Sequence, residues 1–363
     1  MSVLSLSAAD ALARIDTFDA IIDARSEDEW ALDRLPGALN WPSLTNSERA
    51  HIGTLYAQVS PFEARKAGAA LTARNIAAYI EREVMDKPKN WQPLVYCWRG
   101  GQRSSALAHV LGQIGFRVHV IAGGYQAFRK AMLDDLPRRV ERLQLRVLCG
   151  PTGSGKTRLL HVLRDAGAQT LDLEALACHR ASVLGSVPGQ PQPTQKHFEM
   201  RLWNALRALG DDRPVYVEAE SKKVGNLTVP ESLIAAMRAG ECLSVQLSED
   251  ERVALLLEDY PYFVRDPDLF CQNLSILTAL RGRAVVEGWI ADVRAGRIEA
   301  VVRDLLARHY DPGYAASTRR NFARFDAARP VTLASRSPVA MTAAAQAILT
   351  ESASQPAASP PNP

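Results

Sequence analysis

Short apolar runs alternate with longer stretches of helical periodicity along this chain, and most runs end in polar or glycine-rich loops. The runs that predict strands are residues 93–96, 146–149, 170–173, 215–218 and 242–247. Between them, apolar residues recur at three- and four-residue spacing, as in helices that cover a sheet. This alternation predicts an α/β fold with parallel sheets covered on both sides.

We expect the 363 residues to form the following regions. They are a first α/β domain at 1–135, whose extent rests on a family resemblance given below, with an insertion at 41–76 and a helix at 61–80, a junction at 136–142, a second α/β domain at 143–248, a mainly helical region at 249–330, and a tail at 331–363. The end of the tail, from Ser352 onward, is rich in Pro, Ala and Ser and is predicted to be disordered.

The charge balance is close to neutral, with 43 Lys and Arg against 40 Asp and Glu, a net charge of +3. This excess is too small to indicate nucleic-acid binding by itself. Arginines concentrate near the C-terminus, where they form either a face that follows phosphates or an ordinary solvated face. These arginines are Arg303, Arg308, Arg319, Arg320, Arg324 and Arg329. Candidate RNA contacts among them and their neighbours are His309, Tyr310, Arg319 and Arg320.

Cysteine usage and the N-terminus bear on the compartment. The five cysteines show no Cys-x2-Cys spacing, so a zinc site is not expected. The N-terminus lacks the pattern of a signal peptide, and no apolar run approaches membrane-spanning length. We therefore expect a cytoplasmic protein that does not bind a membrane, and, since nothing suggests a symmetric interface, a monomer.

One strand-like run ends in a cysteine. Residues 93–96 lead to Cys97, and two glycines and two arginines follow before a helical pattern over 106–114. Unpaired N–H groups at a helix start, with Arg99 and Arg103, favour negative charge. We therefore predict that the pKa of Cys97 lies well below the free-thiol value of about 8.5, and that the loop binds an oxyanion beside the sulfur. The alternative is a buried core cysteine.

Around this loop, the N-terminal part of the chain resembles a rhodanese domain. The matching pieces, in rhodanese order, are residues 21–25 (IIDAR), 35–40 (LPGALN), the Cys97 loop and 118–127 (VHVIAGGYQA). The resemblance implies a cysteine that carries sulfur or selenium. The loop reads Cys-x5-Arg, one residue longer than the common rhodanese loop, and this length also resembles phosphatases of the Cdc25 type.

A second chemical motif follows an apolar run at 145–149. Residues 150–157 read Gly-Pro-Thr-Gly-Ser-Gly-Lys-Thr and precede a helical pattern, which is the P-loop motif in its strand–loop–helix setting. The candidate binding residues are Gly150, Gly153, Ser154, Gly155, Lys156 and Thr157. Backbone N–H groups of such a loop surround a phosphate, and the Thr157 hydroxyl is expected to meet Mg²⁺. The motif specifies a phosphate or diphosphate but does not specify ATP.

Two acidic positions at strand ends are candidates to serve this site. Asp172 ends the run at 170–173, and Glu218 ends the run at 215–218. In a P-loop fold, a carboxylate at the carboxyl end of a neighbouring strand supports the metal ion. The alternative for each is a solvated carboxylate or a helix cap.

The combination of a chalcogen-carrying cysteine and a P-loop in one chain resembles the tRNA 2-selenouridine synthases, over nearly the whole chain to about Arg329. The pieces that carry this resemblance are residues 96–101, 172–174, 179–180 with Gly185, 192–195, 198–199, 218–221 and 309–312 with Tyr314. The resemblance implies a transferase that acts on the wobble 2-thiouridine of tRNAs for Lys, Glu and Gln.

The resemblance further implies two steps and a source of selenium. The sulfur is first geranylated with geranyl diphosphate, which the P-loop would hold with Mg²⁺. Selenium from selenophosphate then replaces the geranylthio group through a Cys97 selenosulfide, with Arg99 and Arg103 holding the departing phosphate. A selenophosphate-supplying enzyme is the implied partner.

Two other functions remain open on the residues alone. One is an ATP-dependent kinase or NTPase with a rhodanese domain as a sulfur carrier, although no base-recognition motif stands out. The other is a Cys-x5-Arg phosphatase with a phosphocysteine intermediate. The family resemblance, rather than the chemistry of single residues, favours the tRNA transferase.

Overall fold

The computed structural model describes residues 3–180, 182 and 184–354. They divide into two compact units. The first holds residues 3–138 together with Pro193–Asn204, and the second holds the remaining described residues from Arg139 onward. Both contain a five-stranded parallel sheet, which confirms the predicted α/β class.

The first unit is a parallel sheet with helices on it. Its strands are β1 (Leu4–Leu6), β2 (Ala20–Asp23), β3 (Leu39–Asn40), β4 (Pro93–Tyr96) and β5 (His119–Ile121). Its helices are α1 (Ala8–Ala13), α2 (Glu27–Leu32), α3 (Asn46–Gln58), α4 (Pro61–Tyr79) with a π-helical turn at Ile80–Val84, α5 (Gln102–Ile114) and α6 (Gly124–Glu141), with a 3₁₀ turn at Ile15–Thr17. The strand order is β1-β5-β4-β2-β3.

The central strand β4 is apolar throughout because both of its faces are covered. Its Val95 packs in a core with Ile22, Leu107 and Leu111. The predicted insertion at 41–76 holds two helices rather than one, and Trp41 at its start stacks on Tyr79 with ring centroids 5.5 Å apart. The insertion therefore closes one face of the core.

The second unit is built on the same principle. Its strands are β6 (Leu145–Cys149), β7 (Gln169–Leu171), β8 (Val215–Glu218), β9 (Lys223–Val224), β10 (Leu227–Thr228), β11 (Glu241–Gln246) and β12 (Arg329–Thr332). Its helices are α7 (Lys156–Asp165), α8 (Leu173–Ala177), α10 (Glu231–Ala239), α11 (Glu249–Asp259), α12 (Pro261–Arg265), α13 (Pro267–Ser275), α14 (Thr278–Arg281), α15 (Arg283–Arg294), α16 (Ile298–Leu305) with a π-helical turn at Leu306–Tyr310, α17 (Asp311–Asn321) and α18 (Pro338–Ser354), with a 3₁₀ turn at Phe325–Ala327. The helix α9 (Gln195–Arg207) lies between α8 and α10 in the chain, but most of it belongs to the first unit.

The main sheet has the order β12-β11-β6-β8-β7, and β9 pairs with β10 as a separate hairpin. The strand β6, which leads into the P-loop, is therefore central. Its Leu148 packs with Leu159 and Leu160 of α7 and Val245 of β11. The predicted strand at 170–173 ends two residues early, because Asp172 caps the helix that begins at Leu173.

The expectation of a tail at 331–363 is wrong for residues 331–354. The strand β12 pairs in parallel with β11 as the edge of the sheet, and Met341, Ala345 and Ile348 of α18 join the core against α7. Burial of these apolar side chains against α7 holds the segment in the fold. Of the predicted disordered end, residues 355–363 lie outside the described residues.

The segment Pro193–Asn204 requires a second correction, since the sequence assigned it to the P-loop domain. It belongs to the first unit. Arg129 of α6 forms an ion pair with Glu199 of α9, and the Trp203 Nε1–H group donates a hydrogen bond to Asp135 at 2.8 Å. These partners are far apart in the chain, so periodicity could not reveal them. The predicted junction at 136–142 also contains the end of α6 rather than a loop.

Within the described ranges, the structure contains no helix that is long and apolar enough to cross a lipid bilayer.

Candidate functional site

The first site is the loop that joins β4 to α5 and holds Cys97. Its sulfur accepts a hydrogen bond from the Gly101 N–H group at 3.2 Å and another from the Ser104 hydroxyl at 3.1 Å. Cys97 is only 3% exposed. Donors at a helix start stabilise negative charge on sulfur, so the geometry suits a thiolate.

A second turn supports this loop from behind. The Tyr125 N–H group donates to the carbonyl oxygen of Cys97 at 2.8 Å, and the Trp98 ring stacks on the Tyr125 ring at 5.3 Å. Gly124 has a φ of +60°, and a Cβ atom there would lie 2.3 Å from the Cys97 carbonyl oxygen. A glycine is therefore required where the two loops meet.

The other rhodanese-like pieces meet behind the same loop. The Tyr96 hydroxyl donates to Asp23 at 2.7 Å and accepts from the Leu35 N–H group at 3.2 Å. Asp23 also pairs with Arg25, and both side chains are almost fully buried. The motifs therefore act as a buried polar network that fixes the end of β4, and thus the position of Cys97.

Neither predicted arginine donates to the sulfur. Arg103 forms an ion pair with Glu29 at 2.7 Å, and exposed Arg99 donates to Gln126 at 3.1 Å. Burial acts to raise the pKa of Glu29, but its bonds to Arg103 outweigh burial and lower that pKa. An anion in the loop would therefore compete with a charged Glu29 for Arg103.

The second site is the P-loop between β6 and α7. The Lys156 ammonium donates to the carbonyl oxygen of Gly150 at 2.6 Å. Ser154 is fully buried, and its hydroxyl has no hydrogen-bond partner among the described residues. The lysine side chain therefore folds back on its own loop, where its hydrogen-bond partner is a neutral carbonyl group. Its positive charge is available to bind a phosphate.

Three carboxylates lie beside the P-loop. Glu174, Glu218 and Glu220 each offer one oxygen within 4.8 Å of the others. The Thr157 hydroxyl donates to Glu218 at 3.2 Å, while the second Glu218 oxygen has no hydrogen-bond partner among the described residues. Burial and the neighbouring Glu174 raise the pKa of Glu218 to about 8, and the same two causes raise the pKa of Glu220.

The cluster includes one predicted residue and omits another. Glu218 is in it, but Asp172 accepts from the Ala175 N–H group at 2.8 Å as the cap of α8 and lies 2.7 Å from His161. Burial acts to raise the pKa of Asp172, but His161 and the cap outweigh it. Glu174 and Glu220 were missed as ligands, although both stand in the acidic pieces of the family pattern.

The helical region also supports the P-loop. Arg252 of α11 donates to the Thr152 carbonyl oxygen at 2.8 Å and pairs with Asp311 at 2.7 Å. The Gly150 N–H group donates to the Tyr314 hydroxyl, and burial raises the pKa of that tyrosine. None of these three residues was predicted to belong to the site. Asp311 and Tyr314 stand in the family-like piece at 309–312 with Tyr314, whereas Arg252 stands in none of the family-like pieces.

An apolar cavity opens next to the P-loop, within the second unit. It has about 510 Å³ of empty space, counting its opening to solvent. Its apolar walls include Leu256, Leu257, Phe263, Phe270, Val302 and Leu305. Thr152 of the P-loop, Tyr260 and Tyr310 also line it. We refer to this space below as the apolar cavity.

The four candidate RNA contacts differ in their exposure and in their partners. Tyr310 lines the apolar cavity, and His309 accepts a hydrogen bond from Arg281 at 2.9 Å. Arg319 is exposed and pairs with Asp326, and Arg320 is exposed. At least Tyr310 and His309 are thus engaged within the unit rather than free on its surface.

Comparison with protein families gives two matches along the chain. Residues 7–131 match a model of the rhodanese-like domain, and residues 143–275 match a model of the tRNA 2-selenouridine synthase AAA domain. The two models coincide with the two loops described above.

Individual relatives agree with these matches. The chain is 36% identical over 244 residues to a tRNA 2-selenouridine synthase from Nitrosomonas europaea, covering 66% of this chain and 63% of that protein. It is 31% identical over 305 residues to a tRNA 2-selenouridine synthase from Aeromonas salmonicida, covering 83% of this chain and 79% of that protein. The match to the first relative thus spans slightly less than two thirds of its length.

Among solved structures, a rhodanese-related protein from Thermoplasma volcanium is similar to 35% of this chain, with 17% identity and a TM-score of 0.24. The match covers 91% of that protein.

Proposed function

Because the chain belongs to the tRNA 2-selenouridine synthase family, we propose that it replaces the sulfur of wobble 2-thiouridine in tRNA with selenium. The proposed substrates are tRNAs for Lys, Glu and Gln, and the proposed compartment is the cytoplasm. The observation that carries the proposal is a helix-start cysteine loop and a carboxylate-flanked P-loop in one chain. A kinase would need only the second of these.

In the first proposed step, the P-loop holds the diphosphate of geranyl diphosphate. The uridine sulfur attacks carbon 1 of the geranyl group, the carbon–oxygen bond breaks, and pyrophosphate leaves while uridine N3 loses its proton. Lys156 and the N–H groups at Gly153 and Gly155 would stabilise the charge on the pyrophosphate. No phosphoryl group is transferred, so ATP is not required.

The residues beside the P-loop fit a Mg²⁺ ion. A buried Glu218 oxygen without a partner and two neighbouring carboxylates are the oxygen ligands that this ion prefers. Thr157, Glu218 and Glu220 would hold it. When bound, it would neutralise charge on the leaving pyrophosphate.

The second proposed step exchanges sulfur for selenium at carbon 2 of uridine. Selenium in selenophosphate is at the oxidation level of selenide, so it attacks carbon 2 with its own electron pair. The geranylthio group then leaves, taking a proton to become geranyl thiol. The phosphorus–selenium bond remains to be broken, and we assign this to the Cys97 thiolate. Sulfur attacks phosphorus, 2-selenouridine leaves, and water hydrolyses the phosphocysteine.

A Cys97 selenosulfide, which the family resemblance implies, has a different requirement. Sulfur and selenium both begin fully reduced, so joining them needs an oxidant that takes two electrons, such as a disulfide. The mass added to Cys97 distinguishes the two routes, because one adds a phosphoryl group and the other adds selenium. A selenophosphate-supplying enzyme is the proposed partner in either case.

The test is nucleoside mass spectrometry on purified protein without ATP. Three reactions contain tRNA with 2-thiouridine and geranyl diphosphate alone, selenophosphate alone, or both. We expect geranylated nucleoside in the first and 2-selenouridine in the third. Product formation only after addition of ATP would contradict the proposal and favour nucleotide chemistry at the P-loop.

A further inference from the structure

We propose that the apolar cavity holds the hydrocarbon chain of the prenyl diphosphate, and that its inner wall sets the length of chain accepted. This inference rests on the proposed function, because it requires a diphosphate at the P-loop. It adds a binding site for the other end of the same molecule and a residue-level basis for choosing a geranyl chain.

The apolar cavity adjoins the P-loop. Thr152, a P-loop residue, lines the cavity. A Cβ atom at Gly153 would lie 3.0 Å from the Leu256 side chain, which is also a wall of the cavity. The loop that would hold the diphosphate therefore borders the apolar cavity directly. One extended ligand can occupy both places.

The walls of the apolar cavity carry few polar groups. Apart from Thr152 and Ser182, the polar groups are the hydroxyls of Tyr260 and Tyr310, and the other lining residues are apolar. A nucleotide base would find few hydrogen-bond partners here to replace water, which is costly. A hydrocarbon chain loses none and gains burial of apolar surface.

The inner wall of the apolar cavity is part of a packed hydrophobic core. Phe263, Phe270 and Leu305 line the cavity and also belong to the hydrophobic core of the helical region, where each is at least nine-tenths buried. The Phe263 and Phe270 rings stack at 4.9 Å. Val264, in contrast, is 45% exposed and marks the open side. A wall that is part of a packed core resists displacement, so a longer chain would have to leave through the opening.

Calorimetry on the full chain with Mg²⁺ tests the first part of the proposal. The ligands are pyrophosphate, dimethylallyl diphosphate, geranyl diphosphate and farnesyl diphosphate. We expect geranyl diphosphate to bind at least about tenfold more tightly than pyrophosphate, with a more negative heat capacity change from the added apolar burial.

One substitution inside the apolar cavity and one outside it locate the hydrocarbon chain of the ligand. Val302→Trp fills the cavity, and it should reduce the affinity for geranyl diphosphate to that for pyrophosphate while leaving pyrophosphate binding unchanged. Ile290→Trp is the control, because Ile290 packs on the same core without lining the cavity. It should keep the preference for geranyl diphosphate. If Val302→Trp does not fold, Leu257→Trp blocks the same space from α11.

The second part of the proposal concerns length. Phe270→Ala removes part of the inner wall, and it should raise the affinity for farnesyl diphosphate relative to geranyl diphosphate by about tenfold. Phe263→Ala is the second variant with the same expectation, in case the first is unstable.

The outcomes separate this inference from the proposed function. If Val302→Trp and Leu257→Trp keep the preference for geranyl diphosphate, the cavity is not the site of the chain, although the P-loop can still bind the diphosphate. If the inner-wall variants leave the length preference unchanged, the second part is wrong. If the unaltered chain binds neither pyrophosphate nor geranyl diphosphate, the proposed function fails along with the inference.

Discussion

The Cys97 loop and the P-loop share an architecture but present different reactive groups. Each follows the central part of a parallel sheet and leads into a helix whose first N–H groups face the site. In the first loop the chain supplies a cysteine sulfur, which accepts hydrogen bonds from the Gly101 N–H group and the Ser104 hydroxyl. In the second loop the chain supplies the cation Lys156.

The charged residues that surround the two loops also differ. Around Cys97, the nearby cations are already paired, as Arg103 is with Glu29. Around Lys156, carboxylates are gathered and buried, and burial raises the pKa of both Glu218 and Glu220. A strand–loop–helix unit thus provides only hydrogen-bond donors. The charged side chains around it decide whether the unit activates a nucleophile or binds a phosphate and a cation.

Replacing the cysteine of the first loop should have the largest effect. Cys97→Ser keeps a hydrogen-bonding group at this position but removes the sulfur nucleophile, so selenium incorporation should fall by about 10³-fold or more while geranylation continues. Nucleoside mass spectrometry measures both products in one reaction. Cys178→Ser, at a half-buried cysteine outside the loop, should retain both activities. Normal 2-selenouridine formation by Cys97→Ser would rule out the assigned role.

Replacing the cation of the second loop should have a smaller effect on the other step. Lys156→Ala removes one charge from the pyrophosphate site, so geranylation should fall by about 10²- to 10³-fold. Selenium incorporation into tRNA that is already geranylated should persist. Lys222→Ala, at an exposed lysine of the same unit, is the control and should leave both rates unchanged. Equal loss of both activities in Lys156→Ala would show that the loops do not act separately.

The smallest effect concerns stability and tests the carboxylates. The pKa of Glu218 rises from an ordinary 4.5 to about 8 on folding. Folded chain therefore retains a proton that unfolded chain has lost, and the free energy of unfolding should decrease as pH rises from about 4.5 to about 8. The decrease is at most about 5 kcal/mol, since one pKa unit corresponds to 1.36 kcal/mol.

Glu218→Gln should lose the part of this pH dependence that comes from Glu218, because glutamine carries no titrating proton, while the part that comes from Glu220, whose pKa is also raised, should remain. Urea unfolding at pH 5, 7 and 9, with a chelator to remove divalent cations, measures the free energy. Glu287→Gln, at a glutamate that is 59% exposed, should behave like the unaltered chain. A Glu218→Gln variant with the same pH dependence as the unaltered chain would contradict the raised pKa.

Much of the fold could be predicted from sequence where the signal is local. The strands at 93–96 and 215–218 match the structure at both ends, because a buried parallel strand is a continuous apolar run with sharp limits. The helix α4 was predicted within one residue, and it begins at Pro61, directly after the N-cap Ser60. The strand β12 was missed, because an edge strand of four residues carries little pattern of its own.

The two loops follow from local sequence, since glycines, a cysteine and a lysine at fixed spacing form these units from neighbouring residues alone. The family resemblance is confirmed on the same local pieces. The residues that surround the loops depend on the tertiary structure. It paired Arg103 with Glu29, joined residues 193–204 to the first unit, and brought Glu174 beside Glu218 and Glu220. Burial and charge pairing depend on contacts between residues far apart in the chain, and no spacing along the sequence encodes them.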